Sequence, residues 1–403
     1  MDTIYDILVL GGGPAGLTAG MYGARAKMKT GIIDKGKPGG QIATTQELEN
    51  YPGFGRGTTG PGLSEALVNH AKSFGAEFIK DSIEFLDLNT FPKRVIGRKN
   101  EYLAKTLIYA LGAQPRMLNV PGEEKLRGKG VSYCATCDAE LFQDLDVAVI
   151  GSGDAAIEEA DYLSKFARSV TLVVIHDEGQ VDANQVAYAR IQENPKIKWI
   201  WNSTVKKING DEVVESITIR NIKTAEENEY AVSGVFIFIG TSPVNDFILG
   251  QVKTDSGGYI ITDEKMATNQ EGVFAAGDVR AKYLRQVITA ASDGAIAGVA
   301  AQKYVYENEI WEREVIKPHK PVVVVYYNPS DMIGIDKVGI VDRFVRENQD
   351  QFSLVKVDAS RNELVAKRYQ IKLDNLPQLH LFQNGNITKE IQEINKENLT
   401  TLI

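Results

Sequence analysis

One short grammar occurs twice in this chain: an apolar run, a glycine-rich turn, then a helical pattern. A chain that repeats it is confined to an α/β fold, because each copy is a strand–helix–strand unit whose strands run parallel. Residues 5–10 (YDILVL) lead at once into Gly11-Gly12-Gly13-Pro14-Ala15-Gly16, and a helical pattern covers residues 17–26. In such a turn the first glycine permits the tight bend, the second lets backbone approach a pyrophosphate, and the third lets helix pack on strand. The helix N-terminus then faces the anion. A second strand, residues 30–33, ends at Asp34, 23 positions after Gly11, where a carboxylate can bind a ribose hydroxyl. The second copy starts at residues 147–150 (VAVI) and runs into Gly151-Ser152-Gly153-Asp154-Ala155-Ala156. A helix over 157–167 and a strand over 170–175 follow, ending at His176-Asp177-Glu178. Two such units imply two bound dinucleotides, or one site whose ligand has been lost.

Only two cysteines occur in 403 residues, both in Cys134-Ala135-Thr136-Cys137-Asp138. A C-x-x-C pair closes a reducible disulfide or supplies half of a metal site. A structural zinc site takes four Cys or His ligands, and His70, His176, His319 and His380 are scattered singly, so no metal is expected. In a reducing compartment such a pair reads as catalytic or metal-binding, not as a structural staple.

Length and charge bound the rest. At about 150 residues per domain the chain holds two or three domains, each able to bury its own core. A net charge of -8 argues against nucleic acid as a partner. Met1-Asp2-Thr3 offers no basic leader and no apolar run reaches the roughly 18 residues of a membrane span, so a cytoplasmic protein with no membrane partner is expected. Further strands read at residues 106–111 and 235–239. Gly272 to Asp278 (GVFAAGD) precedes an Ala-rich helix over 287–305, where a Gly-Asp at a strand end suits a carboxylate set against a ligand hydroxyl. Residues 303–320 turn charged and irregular, which reads as a linker. Beyond it come strands at 321–327, 352–357 and 378–382, helices at 337–348 and 362–369, and an Asn384-Gly385 hairpin turn.

These residues, taken together, resemble the low-molecular-weight thioredoxin reductases, flavoproteins of the two-dinucleotide disulfide oxidoreductase class. The matches stand in order: GGGPAG at 11–16, PGGQ at 38–41, NYPGF at 50–54, VSYCATCD at 131–138, GSGDAAIEEA at 151–160 and GVFAAGDVRAKYLRQVITAASDGAIA at 272–297. The resemblance implies two Rossmann-like domains, with FAD bound by residues 1–114 and 244–305 and a nucleotide-type domain inserted at 115–243 that carries the cysteines. It places Gly11, Gly13, Pro14, Ala15, Gly16 and Asp34 on the FAD dinucleotide. Gly40, Gln41 and Asn50 fall near the isoalloxazine, and Asp278, Arg285, Gln286 and Val287 along ribitol and flavin. Cys137 would face the flavin, Cys134 would attack the partner's disulfide, and Asp138 would protonate the departing thiolate. A homodimer acting on thioredoxin or a similar disulfide protein is implied as well.

Two departures stand out. Typical members carry H-R-R-x-x-x-R after the last strand of the second unit, where arginines grip the 2′-phosphate of NADPH. Here the residues are His176-Asp177-Glu178 and Asp182, and the preceding strand reads about two residues longer. A carboxylate about 5 Å from a phosphate, at an effective dielectric near 20, costs on the order of 3 kcal/mol, which argues against NADPH. Two donors remain. NADH could be held on Gly151, Gly153 and Ala156 with Asp177 or Glu178 on its 2′-hydroxyl. Alternatively reduced ferredoxin, the donor of pyridine-nucleotide-independent relatives, would leave the nucleotide site vestigial. The second departure is a C-terminal domain, 319–403 after a linker at 306–318, whose order of elements resembles thioredoxin, with Leu376-Pro377 where thioredoxin has its cis proline. In place of W-C-G-P-C the chain reads Pro329-Ser330-Asp331-Met332-Ile333-Gly334. Without a cysteine this domain is not expected to carry electrons; a docking or assembly module, for the electron donor or a dimer partner, is expected, with an inert remnant as the alternative. The expected activity is electron transfer from flavin through Cys134 and Cys137 to a protein disulfide. The rivals are an NADH-dependent peroxiredoxin reductase component and a flavin-binding sensor or scaffold without turnover.

Overall fold

The computed structural model describes residues 3–44, 48, 50–55 and 57–403. Met1 and Asp2, part of the stretch read above as offering no basic leader, lie outside the described residues. The chain divides into two compact units, one ending at Gln302 and one spanning Lys303–Ile403.

The first unit opens with β1 (Ile4–Leu10), α1 (Pro14–Arg25) and β2 (Thr30–Asp34), followed by α2 (Gly60–Ser73), β3 (Glu77–Lys80), β4 (Ile83–Asp87), β5 (Lys93–Gly97) and β6 (Glu101–Tyr109). Ile7, Leu8, Val9 and Leu10 are all buried, the pattern of a strand covered on both faces. Each such side chain contributes about 1.5–3 kcal/mol of burial. The sheet order is β3-β2-β1-β6-β5-β4, parallel from β3 to β6 and antiparallel beyond. Helix α1 begins at Pro14, whose missing N–H would be unsatisfied at that position anyway.

An inserted segment is entered through β7 (Ala113–Pro115). It contains β8 (Val131–Ser132), the short helix α3 (Ala135–Asp138), β9 (Asp146–Ile150), α4 (Asp154–Ser164), β10 (Ser169–Val173), α5 (Gln185–Gln192) and β11 (Ile197–Ile200). A meander of β12 (Ser203–Asn209), β13 (Ser216–Asn221) and β14 (Glu227–Ala231) comes next, then β15 (Gly234–Ile237) and the exit strand β16 (Thr241–Pro243). Strands β11-β10-β9-β15-β8 form a wholly parallel sheet. Entry and exit strands pair antiparallel, Ala113 against Pro243. The chain then returns to the first sheet, where β17 (Val273–Ala275) pairs with β6 beyond the stretch that β5 covers. It continues into α6 (Val287–Trp311). The second copy of the grammar is thus β9-α4-β10. Its last strand stops at Val173, two residues short of the expected end, and Ile175 is exposed.

The second unit contains β18 (Val322–Tyr327), α7 (Met332–Glu347), β19 (Ser353–Asp358), α8 (Glu363–Arg368), β20 (Gln378–Gln383), β21 (Asn386–Ile391) and α9 (Lys396–Thr400), with sheet order β19-β18-β20-β21. Strand β19 runs parallel to β18, β20 and β21 antiparallel. The Leu376-Pro377 bond is cis, and Asn384 (φ 51°) and Gly385 (φ 78°) make the expected hairpin turn. Helix α7 starts five residues earlier than expected, because the Asp331 carboxylate accepts the Ile333 N–H and caps it. The stretch expected to be an irregular linker is helical: α6 runs on to Trp311 and a π-type turn covers Glu312–Ile316. Trp311 and Val315, one helical turn apart, are buried with Tyr326 and Phe382 in the core of this unit, and that burial outweighs the charged composition. No helix among the described residues is long and apolar enough to cross a membrane.

Candidate active site

Cys134 and Cys137 are joined in a disulfide, with Cα atoms 5.3 Å apart. Cys134 is the N-cap of α3, so both cysteines and Asp138 fall within a single turn. The turn is fixed from below by Ser132: its hydroxyl oxygen accepts the Cys134 N–H at 3.1 Å, and its O–H donates to Asp138 Oδ2 at 2.6 Å. Burial raises the Asp138 carboxyl above the usual carboxylate range, and the Ser132 bond opposes this only in part. Ser132 also lies 3.3 Å from the Cys134 carbonyl oxygen. A protonated Asp138 can therefore donate to Ser132 Oγ while the serine hydroxyl turns to that carbonyl, so the proton is held without leaving a buried donor unpaired. The segment just upstream is pinned by Glu123, whose carboxylate accepts from Leu118 N, Asn119 N and the Tyr133 hydroxyl.

Above the disulfide the Thr136 hydroxyl accepts from Gln286 Nε2 at 3.2 Å, and Gln286 Oε1 accepts from Asn50 Nδ2 at 3.1 Å. Three segments far apart in sequence thus meet at the redox pair. The Gln41 amide donates to the Ala113 carbonyl. Gly39 N–H donates to the Gly12 carbonyl at 2.7 Å, which seats residues 38–41 on the first glycine turn. Gly11 has φ 108°, and a Cβ there would fall 2.4 Å from the Ala110 carbonyl oxygen. At Gly16 a Cβ would lie 1.9 Å from the Gly11 carbonyl oxygen, so helix and turn are in direct backbone contact. Gly13 N-caps α1 in extended conformation without any side-chain cap, and Pro14 and Ala15 begin the helix. Asp34 closes the unit, its Oδ2 accepting Gly12 N–H at 2.7 Å and its Oδ1 accepting Gly36 N–H at 2.8 Å.

Asp278 is the clearest sign that this region is built around a ligand. Its Oδ1 is buried and has no hydrogen-bond partner among the described residues, and desolvation raises its carboxyl. A buried acceptor left unpaired costs about 1–3 kcal/mol unless a ligand hydroxyl meets it. Next to it the Gly277 N–H donates to Asp293 Oδ2 at 3.0 Å, and Asp293 is ion-paired with Lys282 (2.8 Å) and Arg280 (3.2 Å). Arg285 stacks its guanidinium 4.0 Å over the Tyr259 ring and donates to the Asp278 carbonyl. Val287 begins α6 and packs against the cluster of Ile42, Leu48 and Leu63. Bare backbone at Gly13 and Gly40 and the unpartnered Asp278 oxygen fit the polyhydroxylated, pyrophosphate-bearing group that the fold implies. Sequence reasoning passed over Ser132, Thr136 and Asp293; each is polar and sits inside a motif, but only the folded contacts give it a role.

The second glycine turn repeats the first. Gly151 has φ 141°, a Cβ there would fall 2.4 Å from the Phe238 carbonyl oxygen, and Ala156 is fully buried against it. Gly153 N-caps α4, again without a side-chain cap. Among the acidic residues beyond β10, Asp177 is ion-paired with Lys223, whereas Asp182 comes back onto the turn, its Oδ2 accepting from Ser152 Oγ at 2.7 Å and pairing with His176 Nε2 at 2.8 Å.

Two dinucleotide turns with a disulfide between them define a pyridine nucleotide-linked disulfide oxidoreductase, and the family described as "Pyridine nucleotide-disulphide oxidoreductase" matches residues 5–294, with "Thioredoxin" matching residues 302–403. The chain belongs within that class to the thioredoxin reductases, flavoprotein disulfide oxidoreductases whose family implies FAD and a nicotinamide nucleotide. It is 50% identical over 314 residues to a thioredoxin reductase of Peptoclostridium acidaminophilum, covering 76% of this chain and 99% of that protein. A bifunctional thioredoxin reductase/thioredoxin of Mycobacterium leprae is 35% identical over 437 residues, covering 97% of this chain and 94% of that one. The crystal structure of thioredoxin reductase from Streptococcus pyogenes superposes with TM-score 0.70 at 42% identity, covering 76% of this chain and all of that one.

Proposed function

We propose that this thioredoxin reductase takes electrons from NADH, passes them to Cys134–Cys137, and delivers them to the disulfide of a separate thioredoxin or a similar protein. The single observation that supports this reading best is the chain Asn50–Gln286–Thr136, which ties the redox pair to the residues expected around the flavin ring. FAD held by Gly11, Gly13, Pro14, Ala15, Gly16, Asp34, Gly40, Gln41, Asn50, Asp278, Arg285, Gln286 and Val287 would supply the two electrons that open the disulfide. The protein's own residues do the rest. The Cys134 thiolate attacks one sulfur of the partner's disulfide, and the partner's departing sulfur takes its proton from Asp138. Cys137 then attacks Cys134 Sγ, releasing the partner's second thiol and restoring the Cys134–Cys137 disulfide. Asp138 suits the acid's role because burial keeps its proton at a pH where an ordinary aspartate has lost it.

NADH is favoured over NADPH by the carboxylates that stand where a 2′-phosphate would need cations. It is favoured over a protein donor by the second turn, which keeps Gly151, Gly153 and the buried Ala156 in the geometry of the first. Anaerobic mixing of the flavoprotein with NADH, NADPH or reduced ferredoxin, followed by loss of the flavin absorbance, tests this. Prompt bleaching by NADH is expected. Bleaching by reduced ferredoxin with none by NADH would refute the nucleotide donor.

A further inference from the structure

The two glycine turns carry the same device built from different atoms. In the first, the carboxylate of Asp34 sits on the middle residue of the turn by accepting the Gly12 N–H at 2.7 Å. In the second, the acids directly after the strand do not take that place: Asp177 pairs through Oδ1 with Lys223, and Glu178 is exposed. The chain instead loops out and returns, so that Asp182 N–H and Ala183 N–H both donate to the Ser152 carbonyl at 3.0 Å. This sets Asp182 beside the middle residue of the second turn, where its Oδ2 accepts from the Ser152 hydroxyl at 2.7 Å and meets His176 Nε2 at 2.8 Å. Both contacts fall on one oxygen. Oδ1 has no hydrogen bond among the described residues, and the side chain is 64% exposed. The carboxylate is thus oriented by two neighbours and leaves an unused acceptor open, which is what recognition of a ribose hydroxyl requires.

We propose that Asp182, oriented by Ser152 and His176, is the residue that selects the nucleotide, accepting the adenosine 2′-hydroxyl of NADH and repelling a 2′-phosphate. The inference rests on the reading that a nicotinamide nucleotide is the donor and moves the selecting role from Asp177 to Asp182. It also gives Ser152 a function: a glycine there would leave the carboxylate without that anchor.

The test is calorimetric titration of the FAD-loaded protein with ADP-ribose and with 2′-phospho-ADP-ribose, which lack the nicotinamide and report binding without turnover. Wild type is expected to bind ADP-ribose at least about tenfold more tightly, since removing one charge repulsion of this kind shifts affinity by a decade or more. Asp182→Asn is expected to cut that preference about tenfold or more, and Ser152→Ala to weaken ADP-ribose binding by several-fold through loss of the anchor. An unchanged preference in Asp182→Asn with normal wild-type binding, or a larger change in Asp177→Asn, overturns the assignment while leaving the NADH reading intact. Failure of wild type to bind either compound overturns both. An unaltered flavin spectrum in each variant confirms that the fold is retained.

Discussion

At the residue scale the decisive group is Asp138, a carboxylate in a poor environment for its charge. Because its folded value is raised above the ordinary 3.8 by burial, the native state holds the proton more tightly than the unfolded chain does. Stability therefore falls as pH rises through the window between 3.8 and the raised value, the opposite of a salt-bridged aspartate. Asp138→Asn should be more resistant to urea than wild type at neutral pH, while turnover with thioredoxin drops about 10²–10⁴-fold, the usual contribution of a positioned acid. Wild-type rate is expected to decline as pH climbs through the Asp138 titration, and the variant to lose that decline. A stability loss accompanying the activity loss would point to a merely structural Asp138. The cysteines and the glycines stood out in the sequence because their chemistry or backbone freedom is peculiar to the residue type, whereas Asp138 was singled out only through the family resemblance. Ser132 and Asp293 were not: a serine or aspartate is unremarkable until its partners are known. The return of Asp182 onto Ser152 was hidden for the same reason, since it depends on the path of a loop and not on spacing.

At the element scale the packing of α1 against α6 rests on missing side chains. A Cβ on Gly294 would lie 2.1 Å from the Ala15 carbonyl oxygen, and one on Gly298 2.9 Å from that of Ala19. Backbone cannot move aside as a side chain can, so Gly294→Ala must push α6 away from the glycine turn that α1 opens. The expected cost is about 1–3 kcal/mol in urea unfolding, with FAD released more readily on dilution. A variant that unfolds and retains flavin as wild type does would show that the two helices tolerate separation. Strands buried on both faces, such as β1 and β9, were readable as continuous apolar runs. The meander β12-β13-β14 was not, because its strands are half-exposed and interrupted by polar residues. Helix α6 outran its apolar segment because Trp311 and Val315 find a core that the local sequence does not announce.

At the scale of the whole molecule the chain joins a thioredoxin reductase to a thioredoxin-like unit that cannot do thioredoxin's chemistry. The Mycobacterium leprae relative bears the name of both activities. Here both cysteines lie in the first unit, so on the proposed route the disulfide that takes electrons from Cys134 lies outside the second unit. The unit itself is well built, with its own sheet and cores around Val325 and Phe382. This was legible from the alternation of strands and helices and from the missing C-x-x-C; what the unit binds depends on its surface. The most direct measurement of the account is NADH-driven reduction of insulin disulfides with and without a separate, cysteine-bearing thioredoxin, for wild type and Cys137→Ser. The account predicts turnover only when that thioredoxin is added, and its loss by at least about 10³-fold in Cys137→Ser. Turnover without added thioredoxin, or equal turnover in Cys137→Ser, would contradict it.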